Sequence, residues 1–274
     1  MKKLLVLLLA VFGIFTASSC SVEKTLIVYT ESGFAPFEYV SGDSIVGVDV
    51  DIMNLVGQEL GMKVKFENVS FNTIIDSVSS GKLTKVGAAG LSVTPEREEK
   101  VDFSTVYYQA NLYVIYNKNN APESKEMTDG KTGVYWTSLS TEKGIGVQGG
   151  TTADLFLSDE VVEGGSLEGV KKTTFDSLSV AVLSIGKGID FVIIDELPAQ
   201  KLVEGNENLA CLPLYYEGVD GGNDEPSFDE YAICVTKGET EILNAINKVL
   251  GELLVKDENG VTGIQKLVNK HLGL

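Results

Sequence analysis

Arg97 is the sole arginine in a chain of 274 residues; every other residue of its charge type is a lysine. A guanidinium differs from an ammonium in its planar fork, which holds a carboxylate through two parallel hydrogen bonds. Arg97 lies in GLSVTPEREEKVDFS, where an apolar run of strand type meets a helix start. Thr94 suits the N-cap of that helix and Pro95 its first position. The competing reading is an ordinary surface arginine on a Glu-rich turn. Three other polar features share its setting: residues 31–34 after LIVYT, the GGTT of residues 149–152 after IGVQ, and Asp195 at the end of IDFVIID. Each follows or closes an expected strand, and open α/β sheets bind ligands at the carboxyl ends of their strands. Helix starts beside those ends offer free backbone N–H groups to anions. An arginine with a helix start suits a carboxylate; an acid, a hydroxyl and a carbonyl suit an ammonium. Together they describe a receptor for the head group of a free α-amino acid. Taken singly the features say less: GGTT is a common kind of turn, and Asp195 could cap the helix that follows it.

The elements that must carry these residues are legible as alternating strands and helices. Residues 48–60 place Ile52, Leu55, Val56 and Leu60 at helical spacing, with Gly61 as the stop and Asp49 and Asp51 near the positive end. KVKFENV follows as a strand, residues 71–81 as a helix with Ile74, Ile75 and Val78 inward, and VGAAGLSV as a strand. This β-α-β-α-β order implies a mainly parallel sheet flanked by helices. The second half repeats the logic: NLYVIYNK, IGVQ and IDFVIID as strands, residues 175–187 and LPAQKLV as helices. Residues 119–143 are polar, contain Pro122, Gly130 and Gly133, and read as a surface excursion. YAICVTK is a strand free to return to the first half. From residue 239 onward the pattern is helical, with Ile242, Ile246, Val249, Leu250, Leu253 and Leu254 forming an apolar stripe read as core. The length suffices for two modest lobes.

Composition narrows the function. The formal net charge is −17, which repels nucleic acid and anionic lipid. There is one histidine, His271, and no cluster of cysteine and histidine, so neither a zinc site nor a Ser-His-Asp triad is expected. Cys211 and Cys234 sit in apolar runs and read as buried free thiols, with a disulfide the alternative in an exported protein. Residues 1–19 have the build of a signal peptide, with Lys2 and Lys3 before an apolar stretch too short to span a bilayer comfortably. The small residues before Cys20 resemble a bacterial lipobox, in which that cysteine is lipidated and becomes the first residue. Ala17 and Ser19 depart from the usual box, so simple secretion is the alternative.

Three segments give the chain a wider resemblance: FAPFEY with GVDVDIMNLV, AAGLSVTPEREEKVDFSTVYY, and IGVQGGTT with FVIIDE. They are similar to the polar amino-acid-binding proteins of bacterial ABC importers, solute-binding family 3, and the resemblance runs from about Thr25 to the C-terminus. It implies the periplasmic-binding-protein type II fold, α/β with two lobes and two hinge strands. Lobe 1 would hold residues 25–110 and 232–274, lobe 2 residues 111–231, with hinges near Ala110 and Asn111 and near Tyr231 and Ala232.

Family roles carried onto matching positions give a complete site. Arg97 would clamp the ligand carboxylate, with the backbone N–H groups of Ser92, Thr151 and Thr152. Asp195, the Gly90 carbonyl and the Ser92 hydroxyl would hold the ammonium. Phe34 and Phe71 would sandwich the aliphatic part of the ligand, whereas Phe37 reads as core. Gly47, Asp49 and Asp51 match a family signature that is structural. Glu31 and Gln148 would face the ligand side chain, and the carboxylate favours a basic amino acid (Lys, Arg or His), with glutamine next. The resemblance implies no enzyme activity, cofactor or metal, and a monomer tethered at the periplasmic or cell-surface side that meets ABC permease subunits. The rivals are a cleft enzyme of the cyclohexadienyl-dehydratase type, using Glu31 or Asp195 as acid or base, and a ligand sensor that feeds a separate receptor.

Overall fold

The computed structural model describes residues 24–274; the signal peptide and Cys20 lie outside the described residues. The first strand, Thr25–Thr30, pairs in parallel with Lys63–Asn68 on one side and Val86–Gly87 on the other. The crossovers between them are the helix Val48–Leu60 and a 3-10 turn leading into the helix Ile74–Ser80. Cys234–Thr236 returns the chain to this sheet, antiparallel to Val86–Gly87 and to Val101–Phe103. The second sheet is built on Tyr108–Asn117, which takes Phe191–Asp195 along one edge and Leu209–Tyr216 along the other, both antiparallel. Ile145–Gln148 then lies parallel between Phe191–Asp195 and Lys172–Phe175. A short strand, Phe228–Tyr231, runs beside the first residues of Tyr108–Asn117, so two adjacent strands carry the chain between the sheets.

The helix Val48–Leu60 begins where glycine is required. Gly47 has φ 143°, and a Cβ there would lie 2.0 Å from the Phe37 carbonyl oxygen. That close approach lets the Asp49 N–H donate to the same oxygen at 3.0 Å. The Asp49 carboxylate is buried and accepts from the Gly90 N–H at 3.0 Å and from the Tyr107 hydroxyl. It therefore fixes the Gly90 loop as well as a helix start. Asp51, two residues on and so on the opposite side of the helix, holds Lys270 at 2.7 Å and His271 at 2.8 Å on the last helix, Gly263–Leu272.

Several expectations change. Residues 119–143 are a surface excursion only in part: residues 119–132 are mostly exposed, but Thr132–Tyr135 pairs in parallel with Leu209–Tyr216, and Val134, Trp136 and Leu139 are buried in the core of the second sheet. The polar composition hid a short apolar set that one sheet face suffices to cover. The helix expected over 175–187 is confined to Leu178–Leu183, because Phe175 closes a strand. VGAAGLSV pairs as a strand only at Val86–Gly87, since Gly90 turns the chain at φ 52°. The final helical stretch is broken between Thr240–Leu253 and Gly263–Leu272 by a turn in which the Asp257 carboxylate accepts from the N–H groups of Asn259 and Val261. Its apolar stripe is core as expected, and Cys211 and Cys234 are free thiols.

Two outcomes follow from this packing. Trp136→Ala should cost roughly 3–5 kcal/mol, the usual loss for a large buried aromatic; a urea midpoint close to the parent's would show that the segment is peripheral. Burial pushes the Asp49 carboxyl up to about 6, against the lowering by Tyr107 and Gly90. Between the usual unfolded value and that of the fold, the native state binds more protons, so stability falls as pH rises through this window. From pH 5 to pH 7 this one group removes roughly 1 kcal/mol. Urea unfolding at the two pH values should show the decline, and Asp49→Asn should reduce it; an unreduced decline would remove Asp49 as a contributor.

Candidate functional site

The expected residues converge where the carboxyl ends of the two sheets face each other. Thr94 caps the short helix Pro95–Glu98 through the Arg97 N–H, with Pro95 at its first position. This turns the Arg97 side chain inward, where it is 7% exposed. One guanidinium nitrogen donates to the Ser92 carbonyl at 2.6 Å and the other to the Gly150 carbonyl at 2.8 Å. The first acceptor belongs to the loop after Val86–Gly87 and the second to the loop after Ile145–Gln148, so one side chain joins both sheets. The guanidinium also sits 5.7 Å from the Phe71 ring centroid, within the range of a cation–π contact. A guanidinium has five N–H donors, and these bonds leave capacity for a carboxylate.

The second sheet supplies the other half of the cradle. Thr151 caps the helix Thr152–Glu160 by accepting from the Asp154 N–H, and its hydroxyl donates to the Gln148 carbonyl at 2.8 Å. The N–H groups of this first turn have no partner within the helix and mark its positive end. The Thr152 and Ser92 hydroxyls lie 3.4 Å apart across the junction. Gly90 faces the Phe34 ring, which a Cβ on Gly90 would meet at 2.7 Å. Phe34 is buried against Phe37 and Tyr231, at ring distances of 5.9 and 6.1 Å. Phe37 is core, as expected.

Asp195 occupies the N-cap position of the helix Glu196–Val203 but makes no side-chain cap bond. Its carboxyl turns instead toward Asp229 and Tyr231, and its Oδ1 is buried without a hydrogen-bond partner. Burial, then the Asp229 charge, drives the Asp195 carboxyl well above the usual carboxylate range. Burial raises the Glu31 carboxyl, against the lowering by the Gly33 N–H and by Gln148. Gln148 is itself buried and donates to the Asp176 carbonyl at 3.2 Å.

Two acids were not found by reading the sequence. Glu38, in FAPFEY, is fully buried and neither carboxylate oxygen has a partner. Burial drives it well above its usual range, and the charges acting on it are all negative: Asp49, Glu31 and Asp195. Asp229, in SFDEYAI, is buried and accepts from the Thr152 hydroxyl. Its signal was present, since in an otherwise apolar strand alternation an acid at an inward position is anomalous; Glu230 beside it points outward and masks the pattern.

A family profile described as bacterial extracellular solute-binding proteins, family 3, matches residues 26–272. The chain is 29% identical to the arginine-binding extracellular protein ArtP of Bacillus subtilis, over 98% of each chain. It is 31% identical to the putative ABC transporter arginine-binding protein 2 of Escherichia coli, over 94% of this chain and 95% of that one. Among solved structures it superposes with a TM-score of 0.73 and 28% identity on the amino acid ABC transporter substrate-binding protein AbpA of Streptococcus pneumoniae bound to L-arginine, covering 91% of this chain and 94% of that one. With the two-sheet α/β architecture and the cleft that its loops enclose, these likenesses place the chain in a definite family: it belongs to the family 3 bacterial extracellular solute-binding proteins.

Proposed function

We propose that the chain is the receptor of an ABC importer for a basic L-amino acid, with arginine the first candidate. The observation that carries the reading is the partnerless, fully buried Glu38 carboxylate, acted on by three further acids and no cation. A buried charge without a partner is costly, and a guanidinium or ammonium guest would supply what it lacks. The names of the relatives support the same class. Arg97 would clamp the ligand carboxylate with the N–H groups of Ser92, Thr151 and Thr152. Asp195, the Gly90 carbonyl and the Ser92 hydroxyl would take the ammonium. Phe34 and Phe71 would border the aliphatic stem, and Glu31, Glu38 and Gln148 the distal tip.

The mechanism in this reading is closure between lobe 1 (residues 25–110 and 232–274) and lobe 2 (residues 111–231). The carboxylate ligand set is divided between the loops of the two sheets, so one guest engages both only when they meet, and desolvation on closure strengthens each pair. The closed shape would be recognised by permease subunits. A lipid anchor on Cys20, a periplasmic or cell-surface address and a monomeric state complete the proposal.

Thermal unfolding of the mature chain against each amino acid tests it, since a ligand specific to the folded state adds about 2.7 kcal/mol at a hundredfold excess over Kd. Arg97→Ala should weaken binding by roughly 30-fold or more, the scale of truncating one partner of a buried charged pair, with the fold retained. Unchanged affinity would sink the assignment. Glu38→Gln and Glu31→Gln should each weaken arginine more than glutamine in calorimetry; equal losses for both ligands would remove that residue from the specificity site.

A further inference from the structure

Strand register places two acids on one face. Asp195 is the cross-strand partner of Leu112, and Asp229 that of Ala110, on opposite edges of Tyr108–Asn117. Residues two apart on a strand point the same way, as do direct cross-strand partners. Asp195 and Asp229 therefore project to the same side, on a diagonal that crosses Ala110 and Leu112. The two carboxyls act on each other electrostatically across this face, and both residues are buried. Two such groups do not both ionise readily.

The surroundings divide the roles. Asp229 accepts from the Thr152 hydroxyl, lies near the Ser92 hydroxyl, and is the acid whose charge most supports Arg97. Asp195 Oδ1 is buried without a partner, and the Tyr231 hydroxyl is also unpaired among the described residues. Glu38, from the strand Glu38–Ser41, adds negative charge from the side of the first sheet. Burial raises both carboxyls, with Thr152 and Arg97 opposing the rise at Asp229.

We propose that Asp229 is a positioning residue of the binding site that shares one proton with Asp195, and that the ammonium group of an incoming amino acid expels this proton to solvent. No bond of the ligand changes: the guest arrives already charged, the Asp195–Asp229 pair goes from one negative charge to two, and the proton passes to water or buffer. Asp229 then stands as the counter-charge of Arg97 while Asp195 holds the ammonium. A separate groove of about 550 Å³, lined by Val93, Glu96, Leu155, Phe228 and others, reaches Thr152 and Asp229 from outside. The consequence is that affinity rises with pH across the titration of the pair.

This inference rests on the amino-acid-receptor reading, and the test separates the two. Calorimetric titration of the mature chain with arginine, between pH 5 and pH 8 in buffers of different ionisation enthalpy, counts the protons released per ligand. The wild type should release about one more proton at its maximum than Asp229→Asn, whose amide can still donate to Asp195 and accept from Thr152. Asp229→Asn also removes the counter-charge of Arg97, so it should bind more weakly but still measurably. Glu38→Gln, run in parallel, accounts for any proton that Glu38 contributes. Thr152→Val removes a donor that favours ionised Asp229, so its proton release should move to higher pH; this variant decides the matter if Asp229→Asn does not fold. Equal proton release in wild type and Asp229→Asn, or none from the wild type at any pH in the range, overturns the proposal. Failure of every amino acid to bind would instead overturn the receptor reading on which it stands.

Discussion

A guanidinium withdrawn from water must find oxygen atoms at the ends of its fork, and the cleft is arranged around how Arg97 finds them. Its two protein acceptors are backbone carbonyls on loops of different sheets, so one residue sets the distance between the two halves of the molecule. Carbonyls carry no net charge, and the compensating negative charge comes from Asp229 first, with Asp195 behind it. A zwitterionic guest adds one charge of each sign, whereas a cationic tip adds a further positive charge that Glu38 and Glu31 are placed to meet.

The residues that sequence reading found best were those whose role depends on local chain geometry. Thr94, Pro95 and Thr151 are capping residues, and capping is decided within four residues. Asp195 and the GGTT turn lie at strand ends, which hydrophobic pattern also reveals. Glu38 and Asp229 were missed because their meaning is non-local: an acid in a strand is ordinary until the opposite side of that strand proves to be covered. The Trp136 segment failed for the converse reason. Its few apolar residues give no periodic signal, and only pairing with Leu209–Tyr216, some eighty positions away, explains why they are buried. The lobe boundaries rest on family likeness rather than on any local pattern.

Behind the ligand groups lies an aromatic layer that belongs to neither sheet alone. Phe37 meets Tyr108 and Tyr231 edge to face, each at a ring distance of 5.0 Å. Tyr231 also contacts Phe34 and Tyr107. Tyr108 and Tyr231 stand on the two strands that connect the sheets, while Phe34 and Phe37 flank the tight turn before Glu38. Edge-to-face contact is a preferred arrangement of aromatic rings, and this layer fills the crossing region between the sheets.

Trp136 gives the molecule a built-in optical gauge. It is the one tryptophan of the chain, and its indole donates at 2.8 Å to the Ser227 hydroxyl. Ser227 also accepts from the Leu112 N–H, so the indole is tied to the place where both connecting strands enter the second sheet. The chromophore is buried in the core of the second sheet. Any change in that emission on adding a guest would report rearrangement of the crossing strands, observed without a dye or a label.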